Sequence, residues 1–273
     1  MKKKSLFANL AKYHEYILYY SRILLKQRVA GSYLGFLWLF LDPLMFMLVY
    51  SFVVKFLFNS PIANFNLYVF IGLTTWKLVS GTLLMSPTTI VRNKGVFQQV
   101  YFHKFVYPTI YLMVNIYEFL IANTLIIGLM LIAKVPFTWH MIEFFPITMV
   151  AILFTWGCSL IISHVGVYFF DLRNILDFTL RFLFYLSPIM WSYGNVAKLE
   201  KVVITIANMP IRAVDILRIN PASIIIESFR AVLFEGRSPN YSILFLLALI
   251  SCGLIFAGYR MMSRHEDSYA RII

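Results

Sequence analysis

The 273-residue chain is strongly apolar and basic, and this composition excludes most classes of soluble protein. Hydrophobic residues make up 60% of it, charged residues only 13%, and the formal net charge is +12. The mean hydropathy is +0.77, far from the profile of a soluble domain and indicative of a membrane protein. The basic residues flank the apolar runs, which favours membrane topology over a nucleic-acid partner.

The first element is a basic amphipathic segment, residues 1–30, that cannot cross a bilayer because its charges would lie in hydrocarbon. One helical face is apolar, since hydrophobic residues recur at steps of three and four. These residues are Leu6, Leu10, Tyr13, Ile17, Tyr20 and Leu24. The pattern predicts a cytoplasmic helix lying on anionic headgroups. A turn at Gly31–Gly35 then leads into the first apolar run.

Residues 34–262 contain six apolar runs that approach the 20 residues needed to span a bilayer. The predicted spans are Leu34–Phe58, Leu67–Met85, Phe105–Ala133, Phe145–Phe170, Ile175–Trp191 and Tyr241–Met262. The fifth is short and is interrupted by Arg181 and Pro188. We find no linker or internal repeat, so we expect a single transmembrane domain with a tail at 263–273. The fold class is therefore an all-α membrane protein with six spans.

The distribution of lysine and arginine predicts that both termini are cytoplasmic. Seven of these residues precede the first span, none occurs in Asn59–Asn66, and Ser86–Lys104 contains three. Because cytoplasmic loops are enriched in basic residues, the even-numbered gaps lie inside. We therefore expect a multi-pass membrane protein.

The outer segment between the fifth and sixth spans contains two further apolar stretches, each too short to cross. Asn220 and Pro221 form a helix start, and Gly236 ends the apolar run that follows. Val196–Met209 is the second stretch. We predict two short re-entrant or surface helices there. The two cysteines both lie in apolar runs, so a disulfide framework and a metal site are not expected.

Three stretches of the chain resemble the membrane subunits of type-2 ABC exporters of lipid-linked polysaccharide, such as O-antigen, capsule and teichoic acid. The first is Arg28–Pro43, with the sequence RVAGSYLGFLWLFLDP. The second combines YFFDLR at Tyr168–Arg173 with LSPIMW at Leu186–Trp191. The third is NPASIIIESFR at Asn220–Arg230, the second outer helix, which includes Glu227. Asp42 departs from the family pattern, in which an uncharged polar residue more often precedes the proline.

The resemblance implies a permease that pairs with a second copy of itself and with two copies of a cytoplasmic ABC ATPase. It also implies a location in the cytoplasmic (inner) membrane of a bacterium, with membrane lipid around the protein and a lipid-linked polysaccharide as substrate. No G-x-x-x-x-G-K-[ST] phosphate loop occurs in the chain. We therefore expect no cofactor in this chain, with ATP and Mg bound by the partner ATPase, and no catalytic or metal residues here.

Three ionisable residues lie within the predicted spans, where an unpaired charge costs several kcal/mol. Asp42 lies about 12 Å from the inner face and Lys77 about 15 Å from the outer face, from the helical rise. In a core about 30 Å thick these depths match, so a buried Asp42–Lys77 pair is one hypothesis and a role in the pathway is the other. Glu118 has no obvious partner and is expected to face the pore or another subunit.

Basic residues at the inner face suggest two binding roles. Arg22, Lys26 and Arg28 are candidates for a pyrophosphate head group, with Arg28 favoured because it lies at the elbow and arginine offers forked donors. Attraction to anionic lipid is the alternative for the other two. The segment Thr88–Lys104 is predicted to dock on the ATPase. Its candidate contacts are Arg92, Asn93, Lys94 and Phe97.

Aromatic residues concentrate around the start of the first span and along the fifth. They either form interfacial belts or line a pathway on which sugar rings slide, since aromatic faces contact pyranoses without fixing their register. The pathway candidates are Tyr33, Phe36, Trp38, Phe40, Phe182, Tyr185 and Trp191, together with Glu118. Two other functions stay open: a type-2 exporter of a small molecule or drug, and a membrane-embedded glycosyl- or acyltransferase, for which we find no convergent acid or histidine cluster.

Overall fold

The computed structural model describes residues 6–57, 62–93, 102–193, 203–206, 209–212, 217–266 and 268–269. These residues are predominantly helical, which confirms the all-α membrane class. The helices are α1 (Leu6–Val29), α2 (Trp38–Phe52), α3 (Phe65–Met85), α4 (Thr89–Arg92), α5 (Val106–Ile132), α6 (Phe144–Tyr168), α7 (Leu172–Leu186), α8 (Pro221–Leu233) and α9 (Tyr241–Arg264). A π-helical turn at Val53–Leu57 extends α2, and 3-10 turns occur at Gly35–Leu37, Ser86–Thr88 and Trp139–Glu143.

The glycine elbow between α1 and the first span has the backbone geometry that its sequence predicts. Gly31 has φ +83° and Gly35 has φ +46°, conformations that are strained for residues with a Cβ. The apolar face of α1 lies partly on protein: Tyr13 and Ile17 are buried, and the Tyr13 ring packs edge-on against Phe102 at 5.6 Å. The amphipathic helix is therefore anchored to the bundle as well as suited to the membrane surface.

Five helical stretches in the described part of the chain are long and apolar enough to cross a membrane. They are Gly35–Lys55, Phe65–Arg92, Val106–Ile132, Trp139–Tyr168 and Tyr241–Arg264. In the second of these, 78% of the most apolar window is buried, against 22% to 39% in the others. Helix α3 is therefore the centre of the bundle, with α2, α5, α6, α7 and α8 packed around it.

The predicted fifth span is shorter than expected. Helix α7 has 15 residues, about 22 Å at 1.5 Å per residue, and non-helical residues 187–191 follow it. The chain still passes from one end of the bundle to the other, because α7 starts beside the end of α6 and Trp191 accepts a hydrogen bond from Tyr68 near the start of α3. Six membrane crossings remain a prediction.

The outer segment contains one of the two predicted short helices. Helix α8 begins as expected: the Asn220 side chain accepts a hydrogen bond from the Ala222 N–H, and Pro221 occupies the first turn. The second helix, predicted over Val196–Met209, is wrong for its described residues. Val203–Ile206 is a strand that pairs antiparallel with Met209–Arg212, in keeping with the strand preference of its β-branched residues. Residues 194–202 and 207–208 lie outside the described ranges.

Helices α6 and α9 run parallel and approach closely through glycines. A Cβ placed on Gly157 would lie 2.7 Å from Leu254 Cβ, and one on Gly258 would lie 2.7 Å from Leu160 Cβ. A similar contact joins α6 to the turn after α3, where Gly166 lies against the backbone of Pro87. Small residues let helix backbones approach and gain dispersion contacts in lipid, where no hydrophobic effect drives association.

We predict that Gly166→Ala destabilises the chain by about 1–3 kcal/mol, because the added methyl meets backbone that cannot move aside. The site of its Cβ is 2.5 Å from Pro87 Cα. Unfolding of the purified chain in detergent measures the loss. Gly128→Ala is the matched control, since its Cβ meets nothing within 4 Å. Equal stability of the two variants would contradict the contact.

Candidate functional site

Four ionisable side chains from four helices meet inside the bundle, and we call them the charge cluster: Arg28, Asp42, Lys77 and Glu118. Lys77 Nζ on α3 lies 2.6 Å from Asp42 Oδ2 on α2 and 3.7 Å from Glu118 Oε2 on α5. Arg28, at the end of α1, donates to Glu118 Oε1 through Nη1. The cluster therefore links the amphipathic helix to the first three spans.

The structure brings Asp42 and Lys77 together but does not bury them. Their side chains are 45% and 41% exposed, whereas Glu118 is only 9% exposed. The expectation of a buried pair is therefore wrong, because Asp42 and Lys77 face an open groove. The expectation that Glu118 has no partner is also wrong, since its two oxygens face two cations. Glu118 is the buried acid of the cluster.

The groove beside Asp42 and Lys77 runs between α2, α3 and α7 and has a volume of about 650 Å³. We call it the aromatic groove. Its polar and aromatic walls are Asp42, Phe46, Tyr50, Trp76, Lys77, Ser80, Asp177, Arg181, Phe184 and Tyr185. Phe184 packs 5.6 Å from Tyr50 and 5.9 Å from Trp76 between ring centroids. Asp177 and Arg181 form an ion pair at 2.7 Å.

The aromatic groove contains one of the predicted pathway aromatics, Tyr185. Tyr33, Phe36 and Trp38 are exposed around the start of α2, and Phe40 packs on Phe36 at 5.8 Å. None of these four lines the groove. Phe182 projects away from it, 66% exposed. Trp191 bonds to the Tyr185 carbonyl and packs on Tyr193.

Sequence reasoning missed Phe46, Tyr50 and Trp76, although a signal for two of them exists. Asp42, Phe46 and Tyr50 are spaced by four residues and so share one face of α2. Asp177, Arg181 and Tyr185 repeat the same spacing on α7. The α2 face carries one acid followed by two aromatic residues, and the α7 face carries one acid, one arginine and one aromatic residue. Trp76 has no such signal, because the residues four positions before and after it, Gly72 and Ser80, are neither charged nor aromatic.

A second cavity, of about 390 Å³, lies on the other side of the charge cluster, and we call it the Arg28 cavity. Its charged lining residues are Arg28, Lys77, Arg92 and Glu118; Gln27, Tyr111 and Asn115 add polar groups. Three cations therefore face one acid. Arg22 and Lys26 do not line it and are exposed on α1. Of the three predicted head-group residues, only Arg28 reaches a cavity.

The predicted docking segment is described at its two ends only. Arg92 is exposed at the end of α4, whereas Asn93 is buried and donates to the Thr89 carbonyl at 2.6 Å. Lys94 and Phe97 lie outside the described residues. At the far end, Glu266 accepts from the Lys104 N–H at 3.1 Å and lies 3.0 Å from His103 Nδ1.

The C-terminal residues therefore hold the end of this segment. Burial lowers the pKa of Lys104, and the nearby carboxylate of Glu266 opposes that shift. His164 lies near these C-terminal residues as a packed histidine: its Nδ1 is bonded to the Tyr269 hydroxyl, and its ring centroid lies 5.1 Å from that of His265.

Arg230 closes the end of the bundle at which α3 begins. Its side chain is fully buried. It donates to the carbonyls of Pro188 and Ile189, and to both the carbonyl and the hydroxyl of Tyr68. Its guanidinium stacks 3.5 Å from the Tyr68 ring centroid, and Glu227 pairs with it at 3.2 Å. We call this the Arg230 clamp; it joins α8, α3 and the residues after α7.

The fold and these cavities define a multi-pass α-helical membrane protein with an internal charge cluster and a laterally open, aromatic-lined groove. No protein-family model matches the chain. The chain is 28% identical to the O-antigen export system permease protein RfbA of Myxococcus xanthus, over 91% of this chain and 92% of that one. Two permeases of the same name from Klebsiella pneumoniae are 24% and 23% identical over 91% of each chain. These relatives confirm the resemblance to the permease subunits of ABC exporters.

We predict that Arg230→Lys destabilises the chain by about 2–4 kcal/mol, because one ammonium cannot serve carbonyls on two segments and leaves buried acceptors unpaired. Detergent unfolding measures the loss. Arg237→Lys is the matched control and should cost under about 0.5 kcal/mol, since Arg237 is 61% exposed beside Glu235. A small loss of stability in Arg230→Lys would contradict the stabilising role of the clamp.

The different exposures of Asp42 and Glu118 predict that their replacement lowers stability by different amounts. Asp42→Asn should cost under about 1 kcal/mol, because its ion pair is half-exposed. Glu118→Gln should cost about 3 kcal/mol, because it leaves two cations around a buried neutral group. A double-mutant cycle of Asp42→Asn with Lys77→Met should give a coupling below about 1 kcal/mol. Equal losses at the two acids would contradict this order.

Proposed function

We propose that this chain is the membrane subunit of an ATP-driven exporter of polyprenyl-pyrophosphate-linked polysaccharide of the O-antigen, capsule or teichoic acid type. The observation that carries the proposal is the aromatic groove, which joins ring faces to charges of both signs along three helices. Sugar rings stack on aromatic faces, and hydroxyl groups bond to carboxylates and to cationic donors. The names of the three relatives support the same substrate class.

The route that we propose starts at the cytoplasmic headgroup level. In this route a lipid pyrophosphate arrives at the elbow, beside Arg28. Lys77, Gly81 and Leu84 line both cavities, which therefore adjoin along one face of α3. The head group would bind in the Arg28 cavity, while the glycan passes along the aromatic groove.

Energy for transport would come from a partner. We propose two copies of this chain with two copies of an ABC ATPase that binds ATP and Mg, and no catalytic role for this chain. Arg92 and the residues after it would dock on the ATPase, with both termini in the cytoplasm. The tie between Glu266 and residues 103–104 supports docking, because it fixes the far end of that segment to the helical bundle.

Reconstitution of the chain with its ATPase in proteoliposomes tests the function. Transfer of a fluorescent lipid-linked glycan across the bilayer should require ATP and both proteins. Phe46→Ala should slow transfer about fivefold, since one aromatic contact contributes about 1 kcal/mol, while ATP hydrolysis is retained. Phe245→Ala, on the exposed face of α9, is the matched control.

Two outcomes would overturn this function. Transfer of a small amphiphilic drug, with none of the glycan, would assign the groove to a small-molecule exporter. Glycosyl or acyl transfer by the chain without its ATPase would assign an enzyme.

A further inference from the structure

Arg28, the head-group candidate, is already occupied by a group of the protein itself. Its Nη1 donates to Glu118 Oε1, and its side chain is 34% exposed while that of Glu118 is 9% exposed. An anion that enters the Arg28 cavity must therefore compete with a buried carboxylate for the guanidinium. The carboxylate of Glu118 then needs another partner.

The second oxygen of Glu118 already faces another cation. Glu118 Oε2 lies 3.7 Å from Lys77 Nζ, an ion-pair distance that is too long for a hydrogen bond. Lys77 is held by Asp42 at 2.6 Å on its other side. Shortening the Glu118–Lys77 contact needs only a small side-chain movement. Glu118 can thus leave Arg28 without becoming an unpaired buried charge, which would cost several kcal/mol.

The charges around the cavity favour an incoming anion of two or more charges. Lys77 is already paired with Asp42, so Arg28 and Arg92 are the two cations left for a ligand once Glu118 has closed on Lys77. A phosphate or pyrophosphate offers several acceptor oxygens to the forked donors of arginine, whereas a carboxylate offers two. Arg92, exposed at the end of α4, supplies a second fork.

We propose that Glu118 is an exchangeable counter-ion of Arg28. A phosphate or pyrophosphate group in the Arg28 cavity replaces Glu118 on the guanidinium and also contacts Arg92, and the released carboxylate closes on Lys77. This inference rests on the proposed function. It names the chemical class of the ligand at the Arg28 cavity and the change in ion pairing with which the protein responds when that ligand binds. The displaced Glu118 changes the pairing of Lys77 at the wall of the aromatic groove, and the ligand holds Arg92, which is itself one of the predicted docking contacts.

Ligand binding by the full chain in nanodiscs of neutral phosphatidylcholine tests the exchange. Inorganic pyrophosphate and farnesyl pyrophosphate are titrated separately, with calorimetry as the measurement. Glu118→Gln should bind about tenfold more tightly than the wild type, because the competing carboxylate is gone; a tenfold change equals about 1.4 kcal/mol. Arg28→Met should weaken binding by at least as much.

Two surface variants of α1 serve as matched controls. Glu15→Gln removes the same charge and Lys12→Met removes a cation, both at exposed positions away from the cavity. Each should change the affinity by less than about twofold, because solvent and salt screen exposed charges. If Glu118→Gln folds poorly, Glu118→Asp keeps the charge but shortens the reach to Arg28, and should still bind about threefold more tightly.

The outcomes distinguish free phosphate from lipid-linked phosphate as the ligand, and they distinguish failure of the exchange from failure of the proposed function. Equal gains for both ligands place recognition in the phosphate group, and a gain confined to farnesyl pyrophosphate assigns the cavity to lipid-linked phosphate. Unchanged affinity in both Glu118 variants, or an equal gain in Glu15→Gln, overturns the exchange. The binding test requires no transport, so the exchange can fail while glycan transfer in proteoliposomes persists. If instead the binding results support the exchange and no glycan is transferred, only the proposed function is rejected.

Discussion

The pairing of Glu118 with two cations holds together the half of the bundle that contains the elbow. A buried carboxylate in an apolar bundle is stable only when opposite charge lies close to it. Glu118 on α5 meets this requirement with Arg28 from the amphipathic helix and Lys77 from α3. One side chain therefore fixes the elbow, the central helix and the third span relative to each other, and it does so at the boundary between two cavities.

The other half of the bundle, around the end of α7, uses the opposite arrangement. There a buried cation, Arg230, is surrounded mainly by neutral acceptors, with Glu227 as its charged partner. The helix α7 ends early and leaves the carbonyls of Pro188 and Ile189 without helical partners, and in a membrane such groups must be satisfied within the protein. The guanidinium fills that need. The Arg230 clamp thus compensates for the early end of α7.

Between these two polar centres, the aromatic groove can stay open because α3 does not depend on it for packing. Helix α3 is buried by α5, α6 and α8 on its other sides, and Gly166 brings α6 onto the turn at Pro87. The half-exposed Asp42–Lys77 pair faces the groove, so its charges can be solvated or can meet a ligand. The centre of the bundle is therefore packed by three helices and open on the side of the groove.

Much of the architecture follows from the sequence alone, because apolar length, helix caps and glycine positions act locally. The amphipathic α1, the elbow, five long apolar helices and the Asn220 cap of α8 can all be predicted in that way. The match of Asp42 with Lys77 also follows, since depth along two helices is a matter of counting residues. The strand at Val203–Ile206 was predicted as a helix, because a short apolar run carries too little periodicity to separate the two.

The tertiary structure decided which faces meet, and this depends on how the helices are rotated about their axes. Rotation placed Phe46 and Tyr50 in the groove and left Tyr33, Phe36 and Trp38 outside it. It also joined Glu118 to Arg28, which is 90 residues away in the chain. Apart from Lys77, helix α3 carries apolar residues and small polar residues on every face, so its sequence gives no clear sign of its orientation. The partners of its one lysine were therefore fixed by packing between distant segments, which no local pattern records.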